Sequence, residues 1–480
     1  MLLVNSIQRN AQAYGNFEAT VFKGRRRTWR EFVDRVARLS DGLTSGGVSS
    51  GERVGILALN SDRYMEAFYA ILWAGAIAVP MNIRWSMEEN LYCVRDAGIS
   101  VLFVDDAFAE MGRDVTDRFG RIHTSIFIGE DNAPEGLLPV EHMIGQGRFN
   151  EPIPRRREDL AGIYYTGGTT GFPKGVMLSH MALWASALII AVEMNDRQPI
   201  RNLHAAPMFH IADTVASLFT TICGGAHFFV DAFNAGAVLK AIEAHQVSIV
   251  ILVPTMISML LEEPTFNTTN ISSLRTLFYA ASPMPEALLK RCMAKLPDVN
   301  FFQGYGQTEM APVISLLGPE DHVLETDNAR LRSAGRAVAG VRVKIADPDG
   351  CELPRGTAGE IWATGPNVMT GYWNKPDQTA DTLVEGWVKT GDIAYMDEDG
   401  YIFICDRAKD MIISGGENVF SAEVESAIST HPAVSQAAVI GIPDPRSMAV
   451  VDAMPLSGAG KILKKDLRAP YWEGKVRQVN

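Results

Sequence analysis

Apolar and polar positions in the first part of the chain alternate between helical spacing and short, unbroken apolar runs. Thr28 and Glu31 form the capping box of a predicted helix, and Ser86 opens a second capping box. Residues 54–59 are a continuous apolar run of strand length, and residues 101–104 are another. Because strands that are buried on both faces read as unbroken apolar runs, this pattern predicts a parallel sheet covered by helices on both sides.

The same alternation returns in the middle of the chain. Residues 183–192 and 238–245 have helical spacing, and residues 247–253 and 274–279 are apolar runs of strand length. We therefore predict a second doubly wound unit of parallel strands and helices.

The pattern changes again from about residue 335. Residues 341–345 alternate apolar and polar side chains, which is typical of a half-exposed antiparallel strand. Asp349-Gly350 and Asp399-Gly400 are hairpin turn signals. We therefore predict a small β-rich subdomain that follows the two doubly wound units.

The charged run at residues 406–410 predicts a linker to a last, small domain. Beyond it, residues 421–429 are predicted to be helical and residues 434–440 to form a strand. The predicted fold is thus α/β, with a large domain at residues 1–405 and a small, mobile α+β domain at residues 406–480.

Composition narrows the classes of function. The chain has 480 residues and a net charge of −12, whereas nucleic-acid-binding proteins have a basic excess, so we exclude that class. We find no signal peptide, and no apolar run reaches the roughly 20 residues of a membrane span. Five scattered cysteines without a C-x-x-C pair argue against disulfides and metal sites, which favours the cytoplasm.

Residues 166–175 form a glycine- and threonine-rich loop between two strand-like pieces. Its four glycines let backbone N–H groups approach a ligand closely, and Lys174 adds a positive charge. Such groups suit phosphate oxygens. The loop is not a Walker A loop, because Pro173 and Gly175 flank the lysine. Taken alone, the loop is better interpreted as an ordinary surface turn, so a role in phosphate binding needs support from other parts of the chain.

Four further stretches accompany this loop in order along the chain. They are Gly304-Tyr305-Gly306-Gln307-Thr308-Glu309, Thr390-Gly391-Asp392, Asp406-Arg407-Ala408-Lys409-Asp410 and Pro455-Leu456-Ser457-Gly458-Ala459-Gly460-Lys461. Together with the loop, they resemble the signature of the adenylate-forming superfamily, which includes acyl-CoA synthetases, peptide-synthetase adenylation domains and firefly-type luciferases. The resemblance implies that a carboxylate and ATP give an acyl adenylate and pyrophosphate, and that a thiol then releases AMP. ATP, Mg²⁺ and coenzyme A are the implied cofactors.

The resemblance also implies roles for the residues that would hold the phosphates. Thr308 would contact the α-phosphate, and Glu309 would give a carboxylate to Mg²⁺, which typically takes one or two protein carboxylates beside phosphates and water. Taken alone, this pair is equally well explained as a helix N-cap and an acidic first turn. The β- and γ-phosphates would be held by Lys174, Thr166, Gly167, Gly168, Thr169, Thr170 and Gly171.

Three more charged residues have implied roles. Asp392 would accept hydrogen bonds from both ribose hydroxyls, and Arg407 would reach the ribose or a phosphate. The alternatives are a simple turn aspartate and a surface ion pair of Arg407 with Asp406 or Asp410. Lys461 would stabilise charge on the bridging and carboxylate oxygens during adenylation, whereas a lone lysine in such a loop would more often be a solvated charge.

A second group of residues is implied for the acid and the thiol. His210 resembles the histidine of CoA ligases, where amino-acid-activating relatives carry an aspartate, and its alternative is a satisfied core histidine. Small side chains in the pocket predict a fatty or aryl acid rather than acetate. The predicted pocket residues are His210, Ile211, Tyr279, Ala280, Ala281, Gly304, Met310 and Ala311, with Ser282 in the nucleotide site. Gly415 and Gly416 would line the path of pantetheine, and Lys409 would be the hinge.

The small domain is shorter than the family pattern. Residues 446–451 run almost directly towards the Lys461 loop, whereas relatives insert a strand, a helix and a strand, which need roughly 30 residues. Either a disordered segment is missing from this sequence, or the segment is truly deleted and leaves an exposed sheet edge. We favour the first explanation, because a folded domain should not lose its own core.

The predicted function is therefore an ATP-dependent acyl-CoA synthetase for a fatty or aryl carboxylic acid. One alternative is an adenylating enzyme that transfers the acyl group to a carrier protein. The other is a nucleotide-binding pseudoenzyme with a damaged second domain. The oligomeric state is left open, with a homodimer as one option.

Overall fold

The computed structural model describes residues 3–167, 173–324 and 329–408, and 410, 412–414, 417–419, 421, 424–425, 428, 434, 437–442, 449–451, 453–455 and 462–472. The strands are β1 (Glu18–Phe22), β2 (Arg25–Thr28), β3 (Arg53–Leu57), β4 (Ile77–Pro80), β5 (Val101–Val104), β6 (Thr124–Phe127), β7 (Leu138–Pro139), β8 (Leu160–Thr166), β9 (Lys174–Ser179), β10 (Arg201–His204), β11 (Ala226–Phe229), β12 (Ile249–Leu252), β13 (Thr276–Ala280), β14 (Asn300–Gly306), β15 (Val313–Leu317), β16 (Arg336–Ala337), β17 (Arg342–Ala346), β18 (Gly359–Thr364), β19 (Gly371–Tyr372), β20 (Leu383–Val384), β21 (Trp387–Met396), β22 (Ile402–Arg407), β23 (Ile412–Ser414) and β24 (Glu417–Val419).

The α-helices within the described residues alternate with these strands through most of the chain. They are α1 (Val4–Ala13), α2 (Trp29–Ser45), α3 (Asp62–Trp73), α4 (Met87–Ala97), α5 (Ala109–Phe119), α6 (Val140–Gln146), α7 (His180–Met194), α8 (Ile211–Ile222), α9 (Ala235–His245), α10 (Pro254–Glu262), α11 (Glu286–Lys295), α12 (Pro376–Thr382) and α13 (Lys464–Trp472).

Two large sheets confirm the two predicted doubly wound units. The nine-stranded sheet has the order β16-β15-β14-β13-β12-β10-β11-β1-β2, and its strands from β1 to β14 along this order are parallel. The eight-stranded sheet has the order β19-β9-β8-β4-β3-β5-β6-β7, and β8 to β7 are parallel. In each sheet antiparallel strands occupy one edge or both.

The predicted β-rich subdomain is also confirmed. Its five-stranded antiparallel sheet has the order β17-β18-β21-β20, with β22 paired to β21. Gly400, in the turn between β21 and β22, has a φ of 85°, a left-handed backbone conformation that glycine adopts without strain.

Both predicted capping boxes are present. The Thr28 hydroxyl accepts a hydrogen bond from the backbone N–H of Glu31, and the Glu31 carboxylate accepts from Thr28. Ser86 and Glu89 make the same reciprocal pair at the start of α4. The sequence therefore fixes the starts of these two helices by local hydrogen bonding.

The two large sheets share one apolar core. The largest cluster of buried side chains contains Ile56 from β3, Tyr69 from α3, Phe219 from α8 and Ile314 from β15. A change in the packing of one sheet therefore reaches the other directly. Among the described residues, no helix is both long and apolar enough to cross a membrane.

In the C-terminal part, the prediction of a strand at residues 434–440 is wrong for the residues that are described. The described residues of this segment, 434 and 437–440, belong to no strand. The backbone N–H of Val439 instead donates to Glu425 Oε1 at 2.6 Å, so a side chain takes the group that a neighbouring strand would need. Only residues 421, 424, 425 and 428 of the predicted helix at 421–429 are described, and all of them are helical.

Candidate active site

The carboxyl ends of the parallel strands in both large sheets carry most of the predicted site. Strands β10, β13 and β14 end at His204, Ala280 and Gly306, and β3 and β8 end at Leu57 and Thr166. Ligands of open α/β sheets bind outside the carboxyl ends of the strands, so the loops that follow these residues form the candidate active site.

The glycine-rich loop is the tip of the β8–β9 hairpin, as the sequence predicts. Thr166 and Lys174 are paired at the last rung of the hairpin. A Cβ added to Gly167 would have no atom within 4 Å, so open space surrounds that position. The predicted phosphate ligands Gly168, Thr169, Thr170 and Gly171 lie outside the described residues.

Thr308 and Glu309 lie on a single 3₁₀ turn, Thr308–Met310, directly after β14. The N-cap of this turn is Gln307, and no side chain caps it, so Thr308 does not play the N-cap role of the alternative interpretation. A Cβ on Gly306 would lie 1.8 Å from the carbonyl oxygen of Pro312, so close packing requires glycine there.

Tyr372 connects the glycine-rich hairpin to Glu309. Its hydroxyl donates a hydrogen bond of 2.6 Å to Glu309 Oε1, and Lys174 Nζ lies 4.9 Å from the centre of its ring. Burial, together with the Glu309 carboxylate, raises the pKa of Tyr372 above its usual value, so the hydroxyl keeps its proton. The sequence analysis missed this residue, which lies outside all five matched stretches.

Glu309 fits the predicted magnesium ligand. Among the described residues its second carboxylate oxygen, Oε2, accepts no hydrogen bond, and the residue is partly exposed. The described part of the chain contains no cluster of three or more His, Cys, Asp or Glu side chains that could hold a metal ion. Mg²⁺ in nucleotide sites typically takes one or two carboxylates and completes its shell with phosphates and water, so this donor set suffices.

Asp392 is a buried carboxylate with a fixed orientation. Its Oδ2 accepts a hydrogen bond of 2.7 Å from the Tyr305 hydroxyl, and its Oδ1 lies 2.7 Å from Arg407 Nε. Burial and the neighbouring Asp392 raise the pKa of Tyr305, which therefore stays a donor. Arg407 thus pairs with Asp392 and not with Asp406 or Asp410, the partners considered in the alternative interpretation.

His210 is the N-cap of α8, and its Nδ1 accepts a hydrogen bond of 3.3 Å from the backbone N–H of Ala212. In a neutral ring the proton then lies on Nε2. Ile211, the first residue of the helix, is buried in the shared core. The structure therefore gives His210 a defined orientation at the end of the loop that follows β10.

Asn60 is a second residue that the sequence analysis missed. It follows β3, is only 4% exposed, and joins the carboxyl ends of the two sheets. Its Nδ2 donates to the carbonyl oxygens of His204 at 3.3 Å and Ala206 at 2.8 Å, and its Oδ1 accepts from Met208 N at 2.8 Å. This amide fixes the segment that leads to His210.

A buried row of hydrogen-bonded polar side chains lies next to the same segment. His204 Nδ1 lies 2.8 Å from Asp213 Oδ2, and His204 Nε2 lies 3.0 Å from His227 Nδ1. His227 Nε2 lies 3.2 Å from the Thr221 hydroxyl. Burial, and secondarily His204, lowers the pKa of His227 well below its usual value, so this ring is neutral. These hydrogen bonds connect α8 to β10 and β11.

The predicted pocket residues do not all lie on one face of the nine-stranded sheet. Ala280 packs in the shared core with Phe278, whose ring would lie 2.6 Å from a Cβ on Gly304. Tyr279 points to the other face, where its hydroxyl lies 2.9 Å from His322 Nε2. The structure therefore separates the Tyr279 side chain from the remaining pocket positions.

The loop after β13 and the turn after β14 carry the other pocket positions. Ala281, with a φ of 74°, has a left-handed backbone that is uncommon for a residue other than glycine. Ser282 follows it and is partly exposed, and Met310 and Ala311 are buried. The predicted hinge Lys409, the glycines Gly415 and Gly416, and Lys461 lie outside the described residues.

Comparison with known proteins decides the family. The model of the AMP-binding enzyme family matches residues 7–373, and that of the AMP-binding enzyme C-terminal domain matches residues 423–470. This chain belongs to the AMP-binding enzymes. The predicted resemblance to the adenylate-forming superfamily, of acyl-CoA synthetase type, is thereby confirmed, together with the fold class, the AMP-forming ligase class and the cofactors ATP, Mg²⁺ and CoA.

Several relatives cover almost the whole of this AMP-binding enzyme. A feruloyl-CoA synthase of an Amycolatopsis species is 36% identical to it, over 92% of this chain and 94% of the relative. A fatty acid–[acyl-carrier-protein] ligase of Streptomyces coeruleorubidus is 31% identical, over 100% and 98%. The crystal structure of an anthranilate CoA ligase with anthranoyl-AMP has a TM-score of 0.90 and 27% identity, over 98% of this chain and 97% of that chain.

Proposed function

We propose that this AMP-binding enzyme activates an aryl or fatty carboxylic acid as its acyl adenylate and then transfers the acyl group to coenzyme A. The observation that carries the proposal is the contact from Lys174 through Tyr372 to Glu309. It joins the glycine-rich hairpin to the carboxylate expected to hold Mg²⁺, so one ATP molecule can reach both.

The substrate carboxylate is the nucleophile, so catalysis requires positioning and charge stabilisation but no covalent enzyme intermediate. In this proposal Lys174 and Thr166 hold the departing pyrophosphate, and Thr308 contacts the α-phosphate. Glu309 would hold Mg²⁺, which would supply positive charge at the phosphates. Each carboxylate oxygen has two lone pairs, so the two oxygens of Asp392 that contact Tyr305 and Arg407 can each accept a further hydrogen bond. In this proposal they accept hydrogen bonds from the ribose hydroxyls.

We place an aryl acid first and a fatty acid second. The feruloyl-CoA synthase and the anthranilate CoA ligase are named for aryl acids, and the Streptomyces relative is named for a fatty acid. The ring of Phe278 next to Gly304 supplies an apolar wall that suits either class better than acetate.

Coenzyme A is the proposed acceptor, and a carrier protein is the second candidate. The second candidate is supported by the Streptomyces relative, which matches the full length of this chain. With either acceptor, His210 would lie beside the carboxylate of the acid, and Lys461 would act in adenylation. Rotation at Lys409 would then bring Gly415 and Gly416 to the thiol. A cytoplasmic location and a homodimer remain proposals. All five cysteines lie in the described residues, and none of them forms a disulfide.

The domain boundary at residues 405 and 406 also remains a proposal. Strand β22 (Ile402–Arg407) crosses this boundary, and Asp406 Oδ1 accepts a hydrogen bond of 3.0 Å from the Ser421 hydroxyl, within the predicted small domain. The shortening near residues 446–451 stays a prediction, because residues 443–448 lie outside the described part. The alignment with the Streptomyces relative covers 531 positions, so that relative has residues without a counterpart in this chain of 480.

Pyrophosphate release with a panel of acids tests the proposal. The panel contains ferulate and anthranilate as aryl acids, octanoate as a fatty acid, and acetate. We expect release that depends on the acid, is greatest with an aryl acid, and is accompanied by thioester only when CoA is present. Thioester on a purified acyl carrier protein but not on CoA would support the second candidate. No release with any acid would support the pseudoenzyme.

A further inference from the structure

Tyr372 is fixed in place by the backbone on both of its sides. Strand β19, in which it lies, pairs with β9, where Tyr372 is opposite Val176. The backbone N–H of Met369 donates to the carbonyl oxygen of Glu309 at 2.8 Å, and that of Trp373 donates to the carbonyl oxygen of Gly175 at 2.8 Å. The short segment 369–373 is therefore bonded to the hairpin and to the Glu309 turn at once.

Two contacts of the Tyr372 side chain, with Glu309 and with Lys174, have different effects. Its hydroxyl occupies one oxygen of Glu309 with a neutral donor, which orients the carboxylate and leaves its negative charge for a cation. Its ring attracts the Lys174 ammonium through the electrons of the ring face. Among the described residues Lys174 has no carboxylate partner, so its positive charge is not neutralised before phosphate arrives.

We propose that Tyr372 is a positioning residue for ATP·Mg²⁺: its hydroxyl orients Glu309 towards the metal ion, and its ring holds Lys174 towards the phosphates. This inference rests on the proposed roles of Glu309 and Lys174. It also explains why a buried tyrosine joins the edge of one sheet to the end of a strand of the other.

Two substitutions separate the two contacts. Tyr372→Phe removes the hydroxyl and keeps the ring, so we expect the Mg²⁺ concentration for half-maximal pyrophosphate release to rise about tenfold. At saturating Mg²⁺ the KM for ATP should stay within about twofold of wild type. Tyr372→Leu removes the ring as well, so the KM for ATP should rise several-fold even at saturating Mg²⁺.

Tyr401→Phe is the matched control. The Tyr401 hydroxyl also donates to a buried carboxylate, that of Asp321, at 2.8 Å, but it belongs to the β-rich subdomain. This variant should keep the Mg²⁺ dependence of the wild type. In a Glu309→Gln background, adding Tyr372→Phe should change the Mg²⁺ dependence no further, because the hydroxyl acts through Glu309.

Equilibrium binding of ATP, measured by calorimetry with and without Mg²⁺, keeps this inference separate from the proposed reaction. Tyr372→Phe should need about tenfold more Mg²⁺ than wild type to reach the same gain in ATP affinity, whether or not any acid is turned over. Failure of the acid screen alone would refute the reaction but not this role. A folded Tyr372→Phe variant, with a wild-type thermal unfolding curve and the wild-type Mg²⁺ dependence, would overturn the inference.

Discussion

Replacement of Asn60 by alanine tests how the two sheets are joined at the site. The side chain is 4% exposed, and it makes hydrogen bonds to the backbone of His204, Ala206 and Met208. Truncation leaves the carbonyl oxygen of Ala206 and the N–H of Met208 without a partner among the described residues, and each buried, unpaired group costs about 1–3 kcal/mol. The carbonyl oxygen of His204 keeps the hydrogen bond that it accepts from Val230 N at 3.2 Å. Since the bond to His204 is long at 3.3 Å, we count it as weak and expect a loss of about 2–5 kcal/mol in the free energy of unfolding.

The assay is urea unfolding at pH 7.5, with Asn267→Ala as the control. Asn267 is exposed and makes no hydrogen bond among the described residues, so its truncation should change stability by less than about 0.5 kcal/mol. Because the fixed segment leads to His210, Asn60→Ala should also raise the KM for the acid more than that for ATP. If Asn60→Ala matches its control in stability and wild type in both KM values, our reasoning about this junction is wrong.

Three other substitutions, one of them with a control variant, give independent checks. Burial, with Arg155 as a lesser cause, lowers the pKa of His180 to about 4. In the unfolded chain the pKa of this side chain is about 6.5, so the unfolded state takes up the proton first. The free energy of unfolding therefore falls as the pH falls between these two values. His180→Phe should therefore be less destabilised than wild type by a change from pH 7.5 to pH 5 in urea unfolding. Gly306→Ala should lower the melting temperature strongly, because its Cβ would meet the carbonyl oxygen of Pro312, whereas Gly167→Ala should leave it unchanged. Lys461→Ala should abolish pyrophosphate release but retain thioester formation from supplied acyl adenylate and CoA, and equal loss of both steps would refute this division.

Local signals made much of the fold predictable. The capping boxes at Thr28 and Ser86 and the apolar run at residues 101–104 depend only on neighbouring residues, and the structure has all three. The pairing of β1 with β11, which places Val21 opposite Phe228, was not predictable. Nothing in a five-residue strand marks a partner so far along the chain, because pairing depends on burial and register that form only in the folded state.

The candidate site, like the fold, was predictable only in part from the sequence. The order of the matched stretches predicted the family, and Glu309 and Asp392 lie in positions compatible with their implied roles. Asn60 and Tyr372 belong to no such stretch, and each acts through contacts made across the junction of the two sheets. The resemblance implied a pocket position for Tyr279 as well as for Ala280. Successive side chains of a strand point to opposite faces, and the Tyr279 side chain lies on the face away from Ala280.

The most direct test of the central claim follows an oxygen atom. If the acid's carboxylate attacks the α-phosphate of ATP, one of its oxygens stays on the phosphate when the thiol displaces AMP. With an acid labelled with ¹⁸O in both carboxylate positions, mass spectrometry of the AMP formed with ATP and CoA should show one ¹⁸O atom in each molecule. AMP without label, or formation of ADP in place of AMP, would contradict the adenylating mechanism.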